Sequence, residues 1–270
     1  MFPSLLTIAN AAEVLLILSG AVLLWRHGLS AAARRAPAQL GPWNATLTDF
    51  FLFLWFVVCG GLLAPFAAGF WLKQQRLDAD LRLVLTTAAF QLGLLGGVLL
   101  YRFRYGRGQA DGPGPTPAPN PLLAGLVTYL AALPVIVAVS LVWQALLNAL
   151  GVPTPPQEAI ELLRHSKGPL PAAVLVACAT LVAPVAEELI FRAGIFRYVR
   201  TRLPRWAALL LPAFIFGAMH TNLVSLAPLV ALGVVFSLAY ERTGRISTTI
   251  LAHAFFNATT TLLILAGVDV

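Results

Sequence analysis

The chain has 270 residues, of which 59% are hydrophobic and 11% charged, and its mean hydropathy is +0.83. No water-soluble domain needs that much apolar surface, and long uncharged runs mark membrane spans. The formal charge of +7 sits in short loops between apolar runs, a pattern that suits topology and lipid headgroups and not nucleic acid.

The first apolar run, Leu5 to Trp25, is long enough to span a bilayer and lacks the basic start of a signal peptide, so it reads as a retained span. Glu13 near its middle is expected to face the bundle. Arg26, Arg34 and Arg35 follow, then a second span from about Leu47 to Leu72. Its Cys59-Gly60-Gly61 and Pro65 call for closely packed neighbouring helices, and Asp49 reads as an acid in the first helical turn. Cys59 and Cys178 both lie in apolar runs and read as small packing residues.

A third span covers about Leu81 to Tyr101 and ends in Arg102, Arg104 and Arg107. These spans form an N-terminal region, 1–111, divided by a Pro/Gly-rich linker, 112–121, from a membrane core, 122–270. The fourth span runs from about Leu122 to Leu150, where Gln144 and Asn148 share a face and are expected to bond a neighbouring helix. Within the Pro-rich stretch 151–169, Gln157 to His165 reads as a short amphipathic piece lying on the interface plane.

A fifth helix is expected from about Leu170 to Arg202, roughly 48 Å at 1.5 Å per residue and so longer than a ~30 Å hydrocarbon core. The sixth starts after Pro204 and runs to His220, the seventh covers about Leu226 to Tyr240, and the eighth about Ile246 to Leu265. The fold class is therefore all-α, a polytopic membrane bundle of about eight transmembrane helices. Twelve arginines (26, 34, 35, 102, 104, 107, 197, 200, 202, 205, 242 and 245) fall in alternate loops, against Lys73, Arg76, Arg82, Arg164 and Lys167 opposite, so both termini are expected outside.

The chemistry concentrates in the last third. Glu187 and Glu188 stand side by side in an apolar run, where one acid at mid-bilayer costs about 2.5–3.5 kcal/mol and is by default a functional group. Arg192, four residues after Glu188, shares its helix face and can answer its charge, which leaves Glu187 free for chemistry. Phe216 with His220 and His253 with Asn257 repeat the four-residue spacing. Glu187 and His220 lie at similar depth on antiparallel neighbours, about 20 Å from the turn that joins them. His253, only seven residues past Ile246, meets them only if the helices start at different heights. Phe216 reads as a wall of the cavity. The residues after His220 read as poor helix, so the sixth helix is expected to stop short of the far face beside a wet cavity.

EExxxR at Glu187–Arg192, FxxxH at Phe216–His220 and HxxxN at His253–Asn257, in this order, resemble the CPBP intramembrane proteases, also called the CAAX-protease and bacteriocin-processing or Abi family. The resemblance covers about Leu170 to Leu265, with one departure, Ala193, where a Gly usually follows the Arg. It implies hydrolysis of a peptide bond of a membrane-anchored or lipidated substrate. Glu187 would be general base, Glu188 held by Arg192, His220 the water-orienting group, and His253 with Asn257 the oxyanion donors. A metal is left open by the resemblance: Glu187, His220 and His253 could ligate a divalent ion such as zinc and leave a water position, although nothing resembles HExxH. The alternatives are an idle relative serving as an immunity or scaffold protein and a proton-coupled transporter. The expected surroundings are a lipid bilayer, with no nucleic-acid partner. The bias toward Arg, Ala, Leu and Pro points to a GC-rich bacterial genome, and so to a bacterial cytoplasmic membrane.

Overall fold

The computed structural model describes residues 5–106, 120–155, 157–164, 166 and 168–268, and every regular element among them is helical. The linker 112–121 apart from Asn120 and Pro121, together with Arg107, His165 and Lys167, lies outside the described residues. In chain order the helices are α1 (Leu5–Leu24), α2 (Ala31–Arg35), α3 (Leu47–Leu72), α4 (Ala79–Tyr105), α5 (Pro121–Ala149), α6 (Glu158–Arg164), α7 (Pro169–Val199), α8 (Arg205–Ala218), α9 (Leu223–Thr243) and α10 (Ile246–Leu265). Seven of them are long and apolar enough to cross a membrane. The sixth expected span, α8, has 14 residues and so rises about 21 Å, short of a ~30 Å core. Large apolar side chains point outward around the bundle, Phe103, Phe66 and Trp55 among them, as lipid solvation permits and water does not.

Local chemistry sets several helix ends. Thr46 and Asp49 form a reciprocal capping box at the start of α3, which gives Asp49 a definite partner. Asn120 caps α5, and Asn222 caps α9 by accepting the Ser225 N–H. That cap is why α9 begins at Leu223, and the residues from Leu223 to Pro228, expected to be non-helical, are its first turns. The expected break survives only as Met219–Asn222, where Thr221 takes a φ of +51°.

Helices α3 and α4 touch backbone to backbone. A Cβ added to Gly60 would sit 2.1 Å from the Gly93 carbonyl oxygen, and one on Gly97 2.2 Å from that of Phe56. Small residues at this crossing let the helices approach closely, as Cys59-Gly60-Gly61 suggested.

Three expectations are corrected. Glu13 lies on an exposed face of α1, which packs mainly against α5. Gln144 and Asn148 are exposed near the end of α5; the inter-helix bond there runs from Trp143 Nε1 to the Leu223 carbonyl. The amphipathic piece is docked and not free on the interface plane: α6 packs on α10 with Leu163 buried, and the adjoining loop is tied to α9 by Gln157–Ser225 and Asn222–Pro155 bonds.

The arginines at and just beyond the end of α7 also do more than set topology. Arg197, Arg200 and Arg202 donate to the carbonyls of Gly41, Leu40, Trp43 and Ala45, and so hold the 36–46 segment against the bundle end. Glu241 answers Arg200 and Arg205 from α9. This segment buries Leu40 and Trp43, and Trp43 meets Phe50, Phe53 and Tyr198 edge-on.

Candidate active site

The site is carried by α7, whose α-helical turns are interrupted twice by π-helix, at Cys178–Val182 and at Leu189–Phe196. Ala183–Glu188 is the α-helical piece between them. The first π turn has a local cause. Ala183 N–H goes to the Cys178 carbonyl and Pro184 has no N–H, so neither can serve Ala179 O. Asn257 supplies the missing donor from α10, its Nδ2 lying 2.7 Å from Ala179 O. One N–H of Asn257 is thus committed to fixing α10 on α7, and one is left.

The second π segment starts right after the acidic pair. Glu188 is fully buried, and its Oε1 accepts from Arg192 Nη1 at 2.7 Å and from His253 Nδ1 at 2.9 Å. The other Arg192 terminal nitrogen has no hydrogen-bond partner. The guanidinium instead lies 4.6 Å from the Phe216 ring centroid and 5.3 Å from that of Phe236. Aromatic faces attract the charge that one carboxylate oxygen does not fully answer.

His253 links the two acids. A carboxylate only accepts, so His253 Nδ1 carries the proton of the Glu188 bond and the ring is fixed in that sense. Its other nitrogen, Nε2, lies 3.7 Å from Glu187 Oε2. His253 reaches this depth because α10 starts inside the bundle: Ile246 packs beside Leu40, Phe196 and Tyr240. Phe196 is eight residues beyond Glu188 and His253 seven beyond Ile246, so antiparallel helices bring them level.

His220 lies in the turn just after α8, with its Nδ1 donating to the Phe216 carbonyl at 2.8 Å, which leaves Nε2 as its open ring atom. The Phe216 ring packs against His220 at 4.9 Å, His253 at 5.9 Å and Phe191 at 5.2 Å. Phe216 is the shared wall on which both imidazoles rest. Gly194, one place after Ala193, lies flat against Phe53, so α3 closely approaches α7 at that glycine.

One contributor escaped the sequence reading. Gln91 of α4 donates its Nε2 to Glu187 Oε1 at 3.3 Å, and its own Oε1 is buried with no partner. It stood as a lone amide between Phe90 and Leu92 in an apolar run, the only available signal. The structure therefore brings Glu187, Glu188, Arg192 and His253 into one cluster with Gln91. His220 joins that cluster through Phe216, and Asn257 through the α7 backbone.

Among the described residues no three His, Cys, Asp or Glu side chains group closely enough to hold a metal ion. Glu188 and the Phe216 carbonyl engage the Nδ1 atoms of His253 and His220, which leaves Nε2 as the nitrogen each imidazole would offer to a metal ion beside Glu187.

Residues 169–259 match the family model described as type II CAAX prenyl endopeptidase Rce1-like. Over 84 residues the chain is 34% identical to the Bacillus subtilis (strain 168) protein named "Putative membrane peptidase YdiL", a match covering 31% of this chain and 34% of that relative. The chain thus spans about a third of the length of the curated relative it matches. No solved structure matches it. The matched segment contains Glu187–Arg192, Phe216–His220 and His253–Asn257, and it is on this segment that the chain resembles the Rce1-like branch of the CPBP family of membrane peptidases.

Proposed function

We propose that the chain is an intramembrane endopeptidase that hydrolyses a peptide bond of a membrane-anchored or lipidated substrate, with Glu187 as general base. The observation that carries this reading is the division of labour between two adjacent acids. Glu188 has an arginine and an imidazole on one oxygen, whereas among the described residues Glu187 has only the Gln91 amide and a nearby His253 nitrogen.

Charge accounting favours the same role. With Glu188 answered by Arg192, a proton taken from water by Glu187 removes the remaining carboxylate charge as hydroxide attacks the carbonyl. Low-dielectric surroundings strengthen that exchange. Neutral His220, with Nδ1–H on the Phe216 carbonyl, presents Nε2 as an acceptor that can orient the water. His253 Nε2, when protonated, donates to the oxyanion, and the second N–H of Asn257 is available one turn away. Glu187 then returns its proton to the leaving amine. Gln91 acts through Glu187 and is a positioning residue. No step runs through a metal. The bias toward Arg, Ala, Leu and Pro supports a bacterial cytoplasmic membrane, and the arginine distribution supports both termini outside.

The test is comparative membrane proteomics of cells carrying the wild type or Glu187→Ala. Accumulation of an uncut membrane-anchored protein in the variant, and its cleavage by purified wild type in liposomes, supports the reading. An unchanged proteome and an unchanged phenotype fit an idle scaffold and end it. Proton-coupled counterflow in liposomes that is lost in Glu187→Ala would favour the transporter.

A further inference from the structure

A crevice of about 850 Å³ opens at the arginine-rich end of the bundle, between the end of α1, the start of α5 and the α9–α10 turn. Its composition changes with depth. Arg26 and His27 in the π-helical turn Trp25–Leu29 that follows α1 and Arg242 and Arg245 at the α9–α10 turn lie at helix ends, while Val127, Ala131 and Val235 line it one to three turns further in. No Asp or Glu among the described residues lines it. Glu241, next to Arg242, is turned away and pairs with Arg200 and Arg205. Arg26 and Arg245 are exposed and form no ion pair among the described residues. Arg242 donates to the His27 and Gly28 carbonyls, which fixes its guanidinium at the crevice and ties α1 to α9.

The crevice is separate from the candidate active site. Helix α9 turns Val235, Leu238, Ala239 and Arg242 toward it, at i, i+3, i+4 and i+7. A different face of the same helix, rotated by about 100° from Val235, carries Phe236, which meets Arg192 and His253. A cavity of this size lies within the range of ligand pockets, about 300–1,000 Å³. One that is apolar inward and cationic at the headgroup end fits an amphiphile with a negative head. Basic pockets between transmembrane helices recognise anionic headgroups by this chemistry.

We propose that this crevice binds an anionic phospholipid, with acyl chain along Val127, Ala131, Val235 and Leu238 and phosphate among Arg26, Arg242 and Arg245. The occupant is a membrane lipid and not free phosphate, because the cations open onto an apolar trough that an inorganic ion leaves unfilled. The proposal stands whether or not the chain is a peptidase.

The full chain, purified in neutral detergent, would be titrated with phosphatidylglycerol or phosphatidylcholine and its bound lipid counted by native mass spectrometry. Each arginine near an anionic headgroup is worth about fivefold in affinity, so Arg26→Ala/Arg245→Ala should bind phosphatidylglycerol about 25-fold more weakly. The charge-matched Arg34→Ala/Arg35→Ala, which alters exposed arginines outside the crevice, should stay within twofold of wild type. Ala239→Trp, which fills the trough without altering charge, should lose the lipid as well. Equal binding of phosphatidylcholine by wild type would overturn the proposal. So would equal losses from both arginine pairs, which would mean diffuse surface charge. Undiminished binding to Ala239→Trp, or displacement by millimolar inorganic phosphate, would show a phosphate site without a chain site and overturn it too.

Discussion

Replacing Arg192 by Met tests the electrostatic core of the site. The guanidinium is buried, bonds Glu188 at 2.7 Å and lies over two aromatic rings. Without it, Glu188 is a buried carboxylate whose one remaining partner is His253. Breaking a buried pair by removing one member costs about 3–5 kcal/mol, most of it the stranded charge and not the lost bond. For a chain near this size about 2–4 °C of melting temperature accompanies each kcal/mol, so Arg192→Met should melt roughly 6–20 °C lower in detergent, followed by tryptophan fluorescence. The informative variant is the double one. Glu188→Gln/Arg192→Met removes both charges and keeps an amide oxygen for His253, so at least half of the lost stability should return. Peptidase activity should not return, because His253 no longer has an ionised partner. If the double variant melts as low as the single one, or if Arg192→Met stays within 2 °C of wild type, the buried ion pair is not what holds the site.

Glu187→Gln should retain the fold, since an amide can still meet Gln91, and should reduce cleavage by about 10²–10⁴, measured with a membrane-anchored reporter peptide. Gln91→Leu removes a bond to a charged acceptor, worth about 1.5–3 kcal/mol, and should lower the melting temperature by roughly 3–12 °C and kcat by roughly tenfold to a hundredfold. Full activity in that variant would remove Gln91 from the site. Asn257→Leu leaves the Ala179 carbonyl without a donor and should cost about 0.6–1.7 kcal/mol, the range for inter-helix bonds in membranes. The loss should shrink in a Pro184→Ala background, where a backbone N–H is restored, and a double-mutant cycle measures that coupling. Dialysis against a chelator should leave cleavage unchanged. Loss of activity restored by zinc alone would instead make Glu187, His220 and His253 ligands.

Two features of α7 connect its irregular backbone to the chemistry. The π turns lie on either side of Ala183–Glu188, and each changes how the following residues face their neighbours. The N-terminal spans also contribute to the site. Through Gln91, α4 places a polar group on the candidate base, from a region outside the matched residues.

The amino-acid sequence alone determined the helical membrane class, the positions of most spans and the pairing of Glu188 with Arg192. Each depends on local quantities: the length of an apolar run, the cost of a charge in lipid, and the four-residue period that puts two side chains on one helix face. Tertiary structure decided what happens between helices. Residue spacing within α10 cannot report that Ile246 starts level with Phe196, and this height is what brings His253 to both carboxylates. Nor can it report which neighbour receives a lone amide, so Gln91 went unnoticed, Gln144 and Asn148 were given bonds they lack, and Asn257 proved to hold a carbonyl that Pro184 leaves bare. The relative height and rotation of neighbouring helices follow from packing along their whole length, and no short motif encodes that.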